Sequence, residues 1–271
     1  NAFCANVGVI IGKDGVLVVD TLTSADEAEL LLADIRKVTD KPIKYVVNTH
    51  YHLDHSLGNC VFADQGALII AHEKCRENVL QAGDESIANP TAFGLPEDFW
   101  ATTRIAPPII TFERKLEIDL GGLAVEVLHS GYHSHSAGSS FVVLKDQGVL
   151  FTGDILFTDF HPYLGEGDLE GWAKTLDMIA AMDMPFIIPG HGPISTKQDL
   201  VDLKEYLVFF DVQARELSAT MDDPQLMAAE MLKRLPQRQG GDFIVGFNII
   251  TRYKPQAQHQ VADLADDVEG E

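Results

Sequence analysis

Cysteine is scarce in this chain. Cys4, Cys60 and Cys75 are three among 271 residues, an odd number without zinc-finger spacing, so no disulfide framework is encoded. Buried thiols are the default reading, and nothing local would depress a thiol pKa enough to make a nucleophile. Basic residues are few as well: 20 Lys and Arg face 41 Asp and Glu, for a net charge of −21. A surface that negative repels phosphate backbones and anionic lipid, which argues against nucleic-acid and membrane partners and leaves a small-molecule substrate. A homo-oligomer stays open. No apolar run approaches the roughly 20 residues of a membrane span, and no secretory apolar core is visible. The chain opens at Asn1 rather than Met, so a trimmed start is expected. The cytoplasm is then the default compartment, which a lost leader would reverse.

What is present suits one large domain or a core with an appendage, with 46% hydrophobic residues to fill it. Residues 7–11 and 16–20 are β-branched runs about an Asp14-Gly15 turn signal, which reads as a hairpin. Ser24 and Glu27 make a capping box for a helix expected to bury Ala28, Leu31, Ile35 and Val38. Buried strands are expected at residues 43–48 and 67–71, a helix at 73–82, and a hairpin from 116–120 and 123–128. Strands at 141–144 and 149–152, then at 186–188, come next. Asp168 is placed to cap a helix with Leu169, Trp172, Leu176 and Ile179 on one face. Ser195 and Gln198 read as a second capping box, and Asp223-Pro224 as a further helix start. Residues 83–108 lack periodicity, and a loop that long usually forms a lid or substrate wall. That loop and the helices at about residues 195–235 are expected to shape the pocket. Hairpins exclude a purely parallel sheet, so two mixed sheets with helices outside is the economical packing. Residues 1–194 are expected to form the core, 195–253 a helical extension and 254–271 a flexible acidic tail.

One stretch concentrates chemistry. His50-Tyr51-His52-Leu53-Asp54-His55 comes after the strand at 43–48 and carries four metal-competent side chains in six residues. Imidazole nitrogens suit zinc and similar ions, and a carboxylate adds a harder, charged ligand. Alternate residues of an extended segment share a face, so His50 and His52 can reach one ion together. Asp54 and His55 can turn toward a second. Three later positions sit just past predicted strands: His135, Asp154 and His191. Jointly these seven are enough for two ions. His72, His129 and His259 read as structural.

The order of these motifs resembles the metallo-β-lactamase superfamily. His-x-His-x-Asp-His is followed by His135-Ser-Ala-Gly-Ser, Thr152-Gly-Asp154 and Pro189-Gly-His191-Gly, over about residues 7–192. The resemblance implies an α/β (α+β) fold, an αβ/βα four-layer sandwich with metals along one edge of the paired sheets. It implies that His50, His52 and His135 hold one metal, that Asp54, His55 and His191 hold a second, and that Asp154 bridges. His135 is preferred to His133 because the small-residue turn comes directly after it. The family usually begins with a strand before the first hairpin, which is missing here. Many true β-lactamases carry Cys or Ser at the bridging position, so Asp154 with His55 looks closer to the glyoxalase II, lactonase and phosphodiesterase branches.

The expected cofactor is a pair of divalent ions, zinc first, with iron or manganese as alternatives. Two such ions roughly 3.5–4 Å apart can share a water and bring its pKa near neutral. That predicts a dinuclear hydrolase of a small ester, thioester, lactone or amide, with Asp54 and Asp154 in catalytic roles and His161 and Tyr163 facing substrate. The absence of a Gly-x-Ser-x-Gly elbow near the site agrees, since no side-chain nucleophile is needed. The alternatives are β-lactam cleavage at the same site, an iron-dependent redox or sulfur-oxidising enzyme, and a metal-stabilised binding protein.

Overall fold

The computed structural model describes Phe3 and residues 5–254. Cys4, His259 and nearly all of the acidic tail lie outside the described residues. The first β-branched runs pair as β1 (Gly8–Ile11) and β2 (Val16–Val19), antiparallel. β3 (Ile43–Val47), β4 (Leu68–His72) and β5 (Ile110–Phe112) add beside β2 in parallel, completing a five-stranded sheet. The second sheet is an antiparallel meander of β6 (Lys115–Asp119), β7 (Ala124–His129), β8 (Ser140–Leu144) and β9 (Val149–Phe157). β10 (Phe186–His191) then joins β9 in parallel.

Helices cover both outer faces. On the first sheet lie α1 (Ala25–Val38), the single turn α2 (Leu53–Ser56) and α3 (Asn59–Asp64), followed by α4 (Glu73–Ala82). α5 (Leu169–Ala180), α6 (Lys197–Ser218), α7 (Pro224–Arg234) and α8 (Asp242–Asn248) belong to the second. β2 shows why its sequence is apolar without alternation: both of its faces are buried. Val16 and Val18 pack with Ala28, Ile35 and Phe62 under the helices. Leu17 and Val19 pack with Val125, Val127 and Val142 between the sheets. On the far side Phe141, Leu150 and Ile155 meet Trp172, Leu176, Leu203 and Phe210. The result is the αβ/βα sandwich of two mixed sheets that the sequence predicts.

Several local expectations shift. Ser24 accepts from the Glu27 amide at 3.2 Å, as the capping box requires, but Val38 ends α1 exposed because the buried stripe stops at Ile35. The box that opens α6 is Thr196 with Asp199, one residue later than Ser195 with Gln198. Ser195 is taken elsewhere: it bridges to Ile187 and its hydroxyl pairs with Thr158 at 2.7 Å. Residues 83–108 are not open loop; they carry 3-10 turns at Gly83–Ile87 and Pro90–Phe93. The buried Trp100 anchors the segment by donating Nε1–H to the Thr23 carbonyl at 2.8 Å.

His72 and His129, at the ends of β4 and β7, tie the two sheets together as a stacked pair with centroids 4.1 Å apart. Each ring has both nitrogens engaged. Nε2–H groups face the Glu113 and Ala137 carbonyls, and the Nδ1 atoms accept the Lys74 and Gly131 amides. Protonating either ring would break an accepted bond and set like charges face to face. Burial lowers both pKa values, and the neighbouring His72 helps push His129 down to about 4. The unfolded chain, with His near 6.5, therefore binds more protons between those values. Stability contributed by the pair is complete above about pH 6.5 and is lost as pH falls toward 4. His129→Phe, which keeps a ring in the stack but cannot titrate, is expected to flatten part of the decline in urea midpoint between pH 7 and 4.5. An unchanged pH slope in the variant would refute this origin.

Candidate metal centre

β3 leads into the hexapeptide, and the buried side chains around that peptide are arranged to hold it still. Asn48, fully buried, donates to the His55 carbonyl at 3.1 Å and to Asn59 Oδ1 at 2.9 Å. Asn59 returns a bond to Asn48 Oδ1 at 2.8 Å, and the Thr21 hydroxyl also donates to Asn59. The Ser56 hydroxyl closes α2 onto the Tyr51 and His52 carbonyls. α2 is one turn long, and it sets Asp54 and His55 beside the extended His50–His52 pair, with the His55 ring 4.2 Å from that of His50. The sequence carries no cue for this turn, which reads as plain loop from the residues alone.

His50, His52, His135 and Asp154 bring one ligand atom each within 4.8 Å of one another; Asp54, His55 and His191 do the same. All seven predicted residues therefore meet in two adjoining groups. His133 is exposed and takes no part. Asp154 does not come after its strand; it lies inside β9, which runs on to Phe157. β9 and β10 lose regular register between Ile188 and His191, where Pro189 offers no amide hydrogen for the ladder. Gly153 takes a left-handed φ of +51°, and a Cβ on Gly190 would collide with Asp154 Oδ1. The bulge thus turns Asp154 and His191 inward together.

In the first group each ring has its outer nitrogen committed as a donor. His50 Nδ1 faces the Thr49 hydroxyl at 3.1 Å, whose own proton goes to Asp20. His135 Nδ1 faces the Tyr163 carbonyl at 3.1 Å, and His52 Nε2 faces Glu166 at 2.6 Å. Hydrogen-bond partners fix the tautomers. The inner nitrogens then crowd together: His52 Nδ1 lies 3.0 Å from His50 Nε2 and 2.9 Å from His135 Nε2. One proton can bridge only one of those contacts at a time, whereas one cation satisfies all three lone pairs. Burial holds His50 well below its ordinary pKa and His135 at about 3, so both are neutral, with the inner nitrogen unprotonated.

The second group is governed by negative charge. His55 Nδ1 is held by Asp20 at 2.8 Å, which turns Nε2 toward Asp154 Oδ1 at 3.1 Å. His191 Nε2 lies 3.1 Å from Asp54 Oδ2 and 3.3 Å from Asp154 Oδ1. Burial opposes protonation of His191, but Asp154 and Asp54 outweigh it and lift its pKa to about 10; His55 is lifted in the same way. Asp154 divides its oxygens, with Oδ2 3.7 Å from His50 Nε2 and 3.4 Å from His135 Nε2. His55 Nε2 and Asp154 Oδ1 are buried without a hydrogen-bond partner. Such orphaned atoms are costly unless something absent from a bare polypeptide occupies them. The donor set fits divalent cations in both groups.

Two supporting carboxylates give no signal in the sequence. Asp20 at the end of β2 orients His55 and Thr49; Glu166 orients His52 and accepts the Tyr51 hydroxyl at 2.8 Å. A lone carboxylate in a turn looks like solvated surface until its partner is known. His161 and Tyr163 do line the cavity beside the cluster, along with Asp54, Asp154 and His191. His161 is also tied to the Tyr206 hydroxyl at 2.7 Å. The helices at residues 195–235 do not line this cavity as expected; the part of the C-terminal region that does is residues 239–247.

Comparison with known proteins agrees with this geometry. The metallo-β-lactamase superfamily model matches residues 3–191. The chain is 29% identical over 231 residues to a linear primary-alkylsulfatase of Pseudomonas sp. (strain ATCC 19151), covering 72% of this chain and 43% of that protein. It is 27% identical over 207 residues to an acyl-coenzyme A thioesterase of Homo sapiens, covering 69% and 72%. The chain thus spans less than half the length of the alkylsulfatase it matches. In fold it resembles a metallo-β-lactamase family protein of Thermus thermophilus, with TM-score 0.68 at 18% identity over 93% of this chain and 89% of that one. The chain belongs to the metallo-β-lactamase superfamily.

Proposed function

We propose that the chain is a dinuclear metal-dependent hydrolase of an ester, thioester, lactone or amide. The observation that carries this reading is the convergence of three imidazole nitrogens with outer donors already committed, beside a carboxylate whose second oxygen serves an adjoining group. His50, His52 and His135 would hold one divalent ion, Asp54, His55 and His191 the other, and Asp154 both. Zinc suits the nitrogen-rich first group, and manganese or iron suits the carboxylate-bearing second equally well. When bound, such ions supply Lewis acidity toward a carbonyl oxygen and toward water. The similarity to an alkylsulfatase and to a thioesterase supports an ester-type scissile bond.

The chain's own residues would do the rest. Asp54 is the least buried of the carboxylates in the two groups and lines the cavity, so its Oδ2 can take a proton from attacking water and return it to the leaving group. Burial works against the Asp54 anion, but the positive charge on His55 and His191 in the bare chain holds its pKa below the usual carboxylate value. Tyr163 and His161 lie on the same cavity and would orient the substrate. Glu166, held by Tyr51, keeps the His52 ring turned so that Nδ1 points inward.

Asp154→Ala is expected to lower metal content in both groups and to cut kcat/KM at least about a hundredfold, beyond the upper range for loss of an outer partner. Circular dichroism should show the fold intact. Normal turnover in that variant would remove the bridging role. Glu166→Gln is expected to weaken metal affinity, measured by chelator competition, by about 10–100-fold. Tyr51→Phe should produce a smaller change in the same direction; unaltered metal affinity in Glu166→Gln would reduce Glu166 to a surface contact. Stripping metal should abolish hydrolysis of a panel of esters, thioesters, lactones and β-lactams, and adding zinc or manganese should restore it for the true class. Activity that survives complete metal removal would end the proposal.

A further inference from the structure

The cavity beside the cluster, about 650 Å³, changes character away from the polar side chains. Its apolar wall includes Phe3, Phe93, Phe160, Phe243, Ile244 and Phe247. Phe243 and Phe247 stand on successive turns of α8 with centroids 6.3 Å apart, edge to face. They are 59% and 46% exposed, and Phe93 is 45% exposed. Aromatic area is left facing a cavity when something apolar is meant to cover it.

The wall is built rather than incidental. α8 is pinned by the fully buried Asn248, whose Oδ1 accepts the Leu164 amide at 2.7 Å and whose amide donates to the Pro162 carbonyl at 2.8 Å. The His161 amide adds a bond to the Gly240 carbonyl at 3.0 Å. Thus α8 is fastened to the segment that also carries Tyr163 and Glu166. On the other arm, Phe93 packs edge-on against the buried Trp100 at 5.7 Å and against Phe3 at 6.5 Å. Charge narrows the occupant further. No Lys or Arg is among the described residues lining the cavity. Away from the metal-binding side chains an anionic group would therefore find no side-chain cation to pair with.

We propose that this aromatic wall is a subsite for an uncharged hydrocarbon chain of the substrate, placed beside the scissile bond by α8 and Phe93. The proposal rests on the hydrolase reading for the scissile bond, but the subsite can be tested without it. A volume near 650 Å³ lies within the usual range for small-molecule pockets.

Two measurements separate the readings. First, n-alkanols from butanol to decanol, which carry neither charge nor scissile bond, are titrated calorimetrically into the protein. Their Kd is expected to fall about fourfold per added methylene until the cavity is filled. The double variant Phe243→Ala/Phe247→Ala, at half-exposed positions outside the core, is expected to weaken decanol binding about tenfold or more. Second, kcat/KM of the metal-loaded protein is measured for 4-nitrophenyl esters from acetate to decanoate, with a matching rise expected. A flat alkanol series, or equal decanol affinity in the variant, overturns the subsite whatever the esters do. A rising alkanol series with no cleavage of any ester supports the subsite and counts against the ester-hydrolase reading instead.

Discussion

Lone pairs on the inner nitrogens of His50, His52 and His135 point at one another across about 3 Å, and that repulsion has to be relieved by positive charge. Every outer hydrogen bond around the three rings works to keep it so. Thr49, the Tyr163 carbonyl and Glu166 each take the proton that would otherwise turn inward. Asp20 serves His55 in the same way and accepts both the amide and the hydroxyl of Thr49. A single carboxylate thus links the supports of both groups. Buried imidazoles oriented in this manner bind metal without a further entropic cost of ring ordering.

The two groups use opposite electrostatics. In the first, burial is the largest cause that keeps His50 and His135 neutral, helped by the neighbouring imidazoles. The second sits among Asp20, Asp54 and Asp154, whose combined charge draws protons onto His55 and His191. In each case a divalent cation would remove the frustration, by filling lone pairs in one group and replacing protons in the other. Asp154 connects them because β9 bulges where β10 approaches most closely. The irregular backbone at Gly153 and Pro189 is therefore part of the site, and a regular ladder would have pointed Asp154 elsewhere.

The surroundings of the cluster are of two kinds. Polar groups concentrate on the metal-facing side of the cavity, and aromatic side chains from Phe93 and α8 form much of the rest. Asn248, buried and fully bonded, joins α8 to the 161–166 segment, so the apolar wall and the ring-orienting Glu166 belong to one connected piece.

Local chemistry was legible in the residues alone. The strand into His50, the spacing of His50 and His52, the hairpin about Asp14-Gly15 and the Ser24 cap all depend on neighbours within a few positions, and all appear as read. So does the layered fold, because buried strands and amphipathic helices announce themselves by period. What the residues could not disclose were relations across the chain. Glu166 is 114 positions from the ring it orients and Asp20 is 35 from its own. Asp154 lies within a strand rather than after one, Thr196 rather than Ser195 caps α6, and the pocket wall comes from residues 239–247. The sequence by itself determined which side chains were able to bind cations and that the chain would layer around two sheets. Tertiary structure alone decided which nitrogen of each ring faces inward and what surrounds the cavity, because hydrogen-bond direction and shared volume exist only once distant segments touch.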